Sequence, residues 1–148
     1  MADGPIPESR RRNMAAIKHK NTTPEILVRQ RLHSYGLRFR LHDKSLPGRP
    51  DIVLKRHNTV VLVHGCFWHH HGCHNSVWPK TRRHFWRAKI TGNRMRDKRN
   101  ERALRRLGWR VITIWECGVR SGKAFSLLSR RFPRKKSTAT ASWSQGAR

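Results

Sequence analysis

Two short apolar runs, separated by a polar turn, lead directly into a loop of unusual composition. The first run, DIVLKR, starts at Asp51, and the second, TVVLVHG, follows the His57–Asn58 turn. Runs of β-branched residues around a short polar turn predict a hairpin of buried strands. The second run continues into CFWHHHGCHNSVW. The hairpin is therefore expected to deliver many metal-capable and aromatic side chains to one place.

Helical and strand patterns precede this hairpin. Thr22 or Thr23 can cap a helix that has Pro24 in its first turn. The following LRFRLHD, residues 37–43, alternates apolar and polar side chains. Such alternation predicts a half-buried strand, with Leu41 on its buried face.

A long arginine-rich helix and another strand follow the loop. The helix is predicted over residues 81–107, and Gly92 is a point at which it can kink or divide. WRVITIWEC, residues 109–117, has the pattern of a strand, and a shorter helix is expected after Gly122. A helical crossover between strands favours one mixed sheet with helices on its faces. The predicted fold class is α/β.

The chain has 148 residues, which is the size of one domain. We predict that domain over residues 13–132, between a flexible basic arm at 1–12 and a disordered basic tail at 133–148. No apolar run approaches the roughly 20 residues of a membrane span. The N-terminal residues also lack the apolar segment of a secretory signal. A cytoplasmic location is therefore expected.

Charge indicates the class of partner. The chain has 34 Lys and Arg against eight Asp and Glu, a formal net charge of +26. Such a field attracts polyanions, so the expected partner is a nucleic acid; the alternative is a basic surface selected for solubility or for a ribosome. If the protein cuts phosphodiesters with a hard metal ion, its carboxylate ligands must come from those eight acidic residues.

The three cysteines and one loop histidine predict a zinc site. Cys66, His71 and Cys73 are close in the sequence, and Cys117 falls at the predicted end of the last strand, beside the loop. Four thiolate and imidazole ligands without an open position are typical of structural zinc. The alternative is that the cysteines are small buried residues. Other loop histidines can replace His71 in this prediction, namely His69, His70 and His74.

A catalytic magnesium site is a second hypothesis from the residues alone. Asp51 begins the first run, and the second ends in Val63 and His64. A carboxylate at a strand end can hold Mg²⁺ beside a backbone carbonyl, and His64 or His69 can then act as a base. Taken alone, Asp51 is better interpreted as an ordinary aspartate at a turn.

Aromatic residues interleaved with arginine form a third pattern. Phe67 and Trp68 lie in the loop, and Trp86 lies on the following helix. This mixture suits stacking on or between nucleic-acid bases. The alternative is that Trp86 packs its helix against the sheet. The interleaved arginines are Arg82, Arg83 and Arg87.

Five segments together resemble the very short patch repair (Vsr) endonuclease family of bacteria. They are RRNMAAIKHKNTTPE, LPGRPDIVL, VHGCFWHHHGC, FWRAKI and LGWRVITIWEC, in this order between about Arg11 and Cys117. The resemblance implies a restriction-endonuclease-like fold. It also implies hydrolysis of one DNA strand on the 5′ side of the thymine in a T:G mismatch, which arises when 5-methylcytosine deaminates.

The resemblance assigns the catalytic roles. Asp51 resembles the essential Mg²⁺ ligand, assisted by the backbone carbonyl of Val63. His69 resembles the general base, oriented by Asp97. His64 occupies the position at which many restriction enzymes carry a lysine. One further carboxylate resembles the residue that reaches the water on the metal, namely Glu25.

The resemblance also assigns a structural Zn²⁺ and a base-stacking wedge. Its zinc ligands are Cys66, His71, Cys73 and Cys117. Its wedge residues, with Met14 approaching from the other groove, are Phe67, Trp68 and Trp86.

The resemblance therefore leads to a Mg²⁺-dependent DNA mismatch endonuclease, expected to be a monomer. A repair polymerase or mismatch-repair proteins are expected as further partners. Two alternatives remain at this point. One is a restriction-type or less selective nuclease on the same fold, and the other is a zinc-stabilised DNA-binding protein without catalysis.

Overall fold

The computed structural model describes residues 8–9, 12 and 20–133. Met14, most of the predicted arm and the predicted tail after Pro133 lie outside the described residues. Within them, no helix combines the length and the apolar character that crossing a membrane requires. The elements in chain order are α1 (Thr23–Ser34), β1 (Arg40–Leu41), β2 (Ile52–Leu54), a 3-10 turn (Lys55–His57), β3 (Thr59–His64), α2 (Cys66–His69), α3 (Arg83–Arg106), β4 (Arg110–Trp115), α4 (Glu116–Ser121) and α5 (Lys123–Arg131).

The strands form one mixed sheet in the order β1-β2-β3-β4. β2 and β3 are the predicted hairpin, and β3 pairs in parallel with β4. The predicted mixed α/β architecture is confirmed. In the parallel register Thr59 lies opposite Arg110, and His64 lies opposite Trp115. The loop after β3 therefore lies beside the residues that follow β4.

Helices cover both faces of the sheet. Val28 and Leu32 of α1 and Leu128 of α5 pack on one face. Leu104, from the last turns of α3, packs on the other face with Val53, whose neighbours Ile52 and Leu54 point to the first face. Since successive strand residues point to opposite faces, an uninterrupted apolar run such as β2 requires cover on both sides.

The predicted strand at residues 37–43 is much shorter in the structure. Only Arg40 and Leu41 pair with β2, and Leu41 is 41% exposed rather than buried. The amide of Leu37 donates to the carbonyl of Leu32 at 3.2 Å, so this part of the segment is tied to the end of α1 and does not join the sheet. The prediction was therefore wrong for its first residues and for the face of Leu41.

Two other predictions need correction. Cys117 does not end a strand, because β4 stops at Trp115 and Cys117 lies in the first turn of α4. Its amide donates to Sγ of Cys66 at 3.3 Å, which takes the chain out of the ladder with β3. Gly92 does not divide α3, which is one helix of 24 residues.

Candidate active site and metal cluster

A cleft of about 690 Å³ opens where β3 ends. Residues from α1, the start of β2, the end of β3, α2 and α3 line it. Half of the acidic residues of this strongly basic chain face this one cleft. The four acidic residues that line the cleft are Glu25, Asp51, Asp97 and Glu116.

A tight turn delivers Asp51 to the cleft. Gly48 has φ +73°, and a Cβ there would lie 2.7 Å from the side-chain amide of Asn100 on α3. Only glycine fits both the positive φ and this close approach. The chain then passes through the buried Pro50 to Asp51, whose carboxylate accepts the amide of Val63 at 2.7 Å. Asp51 is thus fixed against the end of β3.

Burial makes the charge on Asp51 costly. It raises the pKa of Asp51 to about 6, and the nearby Glu25 carboxylate also raises it, although the bond from Val63 acts in the opposite direction. A buried carboxylate with a raised pKa is a functional-site candidate, since a bound cation would offset the desolvation of its charge.

Glu25 is the most buried acidic residue of the cleft, with 3% exposure. Its carboxylate accepts from the guanidinium of Arg29 at 2.9 Å and from the backbone amide of Asn21 at 3.1 Å. His42 Nε2 lies 3.7 Å from the same carboxylate oxygen. One ligand atom each from Glu25, His42 and Asp51 lies within 4.8 Å of the others, a spacing that can hold a metal ion.

Sequence reasoning missed His42 and Arg29. His42 was expected only as one of the polar residues in the alternating segment at 37–43, and its approach to Glu25 depends on how the chain after β1 lies beside α1. Arg29 carried a usable signal, because it follows Glu25 by four residues on a predicted helix and such pairs interact. The side chains of Arg29 and Glu25 are 15% and 4% exposed, so this ion pair is largely buried.

A second group in the cleft consists of His64, His69 and Asp97. Nδ1 of His69 is hydrogen-bonded to the Asp97 carboxylate, and the His64 ring stacks on the His69 ring at 3.9 Å between centroids. A carboxylate on Nδ1 fixes the imidazole and leaves Nε2 available to accept a proton. Burial and the neighbouring His69 lower the pKa of His64 to about 4, so His64 is neutral near pH 7.

The three aromatic residues of the predicted wedge contact one another. The Phe67 centroid lies 5.2 Å from that of Trp68 and 5.3 Å from that of Trp86, and the two tryptophans are 5.9 Å apart. Asn93 on α3 donates to the backbone carbonyl of Trp68 at 3.1 Å, which ties α2 to α3. The wedge is therefore one cluster at the edge of the cleft.

The three cysteines meet beside the cleft, with His71 as their neighbour. Nε2 of His71 lies 3.3 Å from Sγ of Cys66 and 3.5 Å from Sγ of Cys117. All four ligand atoms, including Sγ of Cys73, lie within 4.8 Å of one another. In a tetrahedral zinc site with bonds of about 2.0–2.3 Å, ligand atoms are roughly 3.3–3.8 Å apart. The arrangement of this thiol cluster can hold a metal ion.

The thiols of this cluster differ in acidity. Burial raises the pKa of Cys66 to about 12, whereas the Ser76 hydroxyl, the main influence on Cys73, lowers its pKa to about 7. A buried thiol becomes a thiolate when a metal cation binds it. The donor set therefore fits a thiophilic cation better than it fits a set of free thiols.

Comparisons with known proteins agree with this geometry. The family model described as DNA mismatch endonuclease Vsr matches residues 2–75. The type II nicking enzyme V.XorIIP of Xanthomonas oryzae is 53% identical over 117 residues, which cover 79% of this chain and 86% of that protein. The DNA mismatch endonuclease Vsr of Escherichia coli is 46% identical over 120 residues, 81% of this chain and 77% of that enzyme. The chain therefore belongs to the Vsr family of DNA mismatch endonucleases and is an endonuclease that acts on DNA.

Proposed function

We propose that this endonuclease nicks one strand of duplex DNA on the 5′ side of the thymine in a T:G mismatch, with Mg²⁺ as cofactor. The observation that carries the proposal is that Asp51 and the His69–Asp97 pair share one cleft, at whose edge the wedge lies. Recognition and hydrolysis then occur on adjacent nucleotides.

Asp51 is the proposed metal ligand, with Glu25 close enough to assist. Carboxylate oxygens are the donors that Mg²⁺ prefers, and burial of Asp51 favours a cation beside it. When bound, Mg²⁺ would neutralise the charge that develops on the attacked phosphate. The backbone amide of Val63 donates to the Asp51 carboxylate and so orients it. The backbone carbonyl of Val63 is proposed as a second ligand of the same ion.

His69 is the proposed general base. Its Nδ1 is bound to Asp97, so Nε2 is the atom that accepts the proton from the attacking water. His64 stacks beside it in the neutral form. A neutral imidazole next to His69 leaves the base free to take up positive charge without repulsion from a second cation.

Phe67, Trp68 and Trp86 are the proposed wedge between base pairs. Aromatic or apolar side chains that enter the stack must overcome its unstacking energy, a few kcal/mol per step. A mismatched pair resists this least, which gives one physical source of selectivity. Met14 is proposed to approach the same step from the opposite groove.

The thiol cluster is proposed to bind one structural zinc ion. Its four ligands leave no open position for a substrate, and they join the loop after β3 to α4. We further propose a restriction-endonuclease-like fold for residues 13–132, a monomeric enzyme, and a repair polymerase or mismatch-repair proteins as partners that act on the nick.

The test is a strand-specific cleavage assay on labelled duplex oligonucleotides. A T:G duplex in Mg²⁺ is expected to give one product, nicked 5′ of the thymine, whereas T:A and C:G duplexes stay intact. Equal cleavage of matched DNA would refute the mismatch selectivity. Nicking that continues in excess EDTA would refute the metal requirement.

A less selective nuclease is the second candidate, and the net charge of +26 favours it. Strong attraction to the DNA backbone is independent of sequence and can raise the rate on poor substrates. A panel of all mismatches at rising salt separates the two candidates, since selective recognition persists when the electrostatic attraction is screened. The relationship to endonucleases excludes the third interpretation, a DNA-binding protein without catalysis.

A further inference from the structure

A second aromatic surface lies outside the wedge, between the thiol cluster and the first turns of α3. Val77 is 65% exposed, Trp78 is 41% exposed and Phe85 is 43% exposed. Several exposed large apolar groups within one short segment are more informative than one isolated exposed leucine. We call this surface the flanking patch, and it consists of Val77, Trp78, Arg82, Phe85 and Arg87.

The Trp78 ring is held in place from behind. Its centroid lies 4.1 Å from that of His70, with 33° between the planes. His70 directly follows α2, and its Nε2 is buried without a hydrogen-bond partner among the described residues. The tryptophan therefore covers an imidazole at the end of the helix that carries Phe67 and Trp68. A ring fixed in this way loses little freedom when a ligand stacks on it.

Arginines accompany both aromatic rings of the flanking patch. The guanidinium carbon of Arg82 lies 4.5 Å from the Phe85 centroid, and that of Arg87 lies 6.0 Å from the Trp78 centroid. Phe85 also contacts Trp86, with 5.1 Å between centroids, so Phe85 adjoins the wedge. No acidic residue occurs in the sequence between Asp51 and Asp97. The local charge is therefore strongly positive and suits an anionic ligand.

We propose that the flanking patch is an additional DNA-binding site, at which Trp78 stacks on an unpaired base while the arginines contact the backbone. Aromatic faces bind bases of any sequence, and arginine adds phosphate contacts and cation–π interactions. The proposal rests on the proposed function for its location, because insertion of the wedge would unstack bases beside this surface. A protein partner for the same apolar residues is an outcome that the test can reveal.

Binding is measured by fluorescence anisotropy in buffer without added Mg²⁺ and without chelator, with a T:G duplex and with a single-stranded thymidine oligonucleotide, over a range of salt concentrations. Trp78→Ala is expected to weaken binding of both DNAs by about tenfold, as loss of one stacked base does. Trp78→Phe keeps an aromatic face and is expected to retain most of the affinity. The slope of log Kd against log salt should stay unchanged in both variants, because no phosphate contact is lost.

A matched pair of exposed positions gives an independent test that does not remove the ring. Val77→Glu and Leu107→Glu make the same change of charge at side chains that are 65% and 62% exposed, and Leu107 lies at the far end of α3. Val77→Glu is expected to weaken DNA binding severalfold more than Leu107→Glu. Thermal unfolding of each variant shows whether it is folded.

Unchanged DNA binding by folded Trp78→Ala and by Val77→Glu would overturn the proposal and leave a protein as the occupant to be sought. Equal losses in Trp78→Phe and Trp78→Ala would also overturn it, because stacking would then play no part. The assay contains no Mg²⁺ and requires no cleavage. Failure of mismatch-directed nicking and failure of this proposal are therefore separate results.

Discussion

The thiol cluster and the acidic cleft share the segment that follows β3, yet they differ in almost every physical respect. Cys66, His71 and Cys73 direct sulfur and nitrogen towards Cys117, and the four ligand atoms face one another. The cleft presents carboxylates and imidazoles to about 690 Å³ of open space. Soft ligands that surround a point suit a structural ion, whereas hard ligands around an open space suit chemistry.

Burial acts on both sites in the same direction, with opposite consequences. It raises the pKa of Cys66 to about 12 and that of Asp51 to about 6. In the thiol cluster, a bound cation would offset the desolvation of the thiolates and would also join the loop after β3 to α4. In the cleft, the bond from the Val63 amide offsets only part of the desolvation of the Asp51 carboxylate, so this buried charge lowers the stability of the protein without a bound cation. The predictions below test this difference.

The largest expected effect comes from substitution of His71, a proposed zinc ligand. His71→Ala should lower zinc content and reduce the free energy of unfolding by several kcal/mol, because binding energies of structural zinc can match the whole stability of a domain. Metal analysis and thermal unfolding measure the two effects. The matched control is His74→Ala, an exposed histidine of the same loop that is outside the cluster. A zinc-free variant with an unchanged midpoint would contradict the structural role.

Asp51→Asn should reduce the nicking rate by about a thousandfold, since the metal contributes several kcal/mol to stabilising the transition state. Asparagine keeps an oxygen that can accept the amide of Val63, so the local geometry should remain. Single-turnover cleavage of the T:G duplex gives the rate. The control is Asp43→Asn, a substitution in an exposed turn where Asp43 bonds only to Ser45 in the side-chain contacts described. Retention of full activity by Asp51→Asn would remove this residue from the metal site.

His69→Ala should slow the reaction by about 10²–10⁴, the usual contribution of a general base, and Asp97→Asn should cost about 10–100-fold because it acts through the imidazole. His84→Ala, an exposed histidine on α3, is the control. Rates at saturating DNA separate these losses from losses of binding. An Asp97 variant slower than the His69 variant would show that Asp97 has another role, such as contact with the metal.

The smallest expected effect has the opposite sign. The pKa of Asp51 is about 6 in the folded protein, against an ordinary value of 3.8. Between these pH values the folded state binds more protons than the unfolded state, so stability falls as pH rises, and the penalty is complete above about pH 6. Asp51→Asn should therefore stabilise the Mg²⁺-free protein by about 1–2 kcal/mol at neutral pH.

Thermal unfolding without added Mg²⁺ and without chelator, at pH 7.5 and near pH 4, measures this difference. The variant should unfold a few degrees above the parent at the higher pH, and the two midpoints should converge in acid. A variant less stable than the parent at both pH values would mean that Asp51 has a structural role like that of the thiol cluster.

The sequence predicted the parts of the fold that depend on local pattern. The β2–β3 hairpin, the strand β4 and the helix α3 follow from β-branched runs and helical periodicity, and the structure confirms them. Periodicity failed where a tertiary contact competes with the local preference. The bond from Leu37 to Leu32 replaces strand pairing, and the bond from Cys117 to Cys66 begins a helix where a strand was expected.

The candidate site shows the same limit. Asp51, His69 and the cysteines were identified because they lie in recognisable segments. His42 and Arg29 were not, since their meeting at Glu25 depends on how the chain after β1 lies beside α1. Asp97 was assigned through resemblance, and no local pattern indicates that it contacts a histidine 28 residues earlier.

The unbroken course of α3 sets a length scale for the enzyme. Trp86 stands near its first turn, Asp97 meets His69 in its middle, and Leu104 anchors its other end in the core. At 1.5 Å per residue, Trp86 and Asp97 are about 16 Å apart along the axis. Because both residues lie on this one rigid helix, the proposed wedge residue Trp86 and the proposed positioning residue Asp97 cannot move independently of each other.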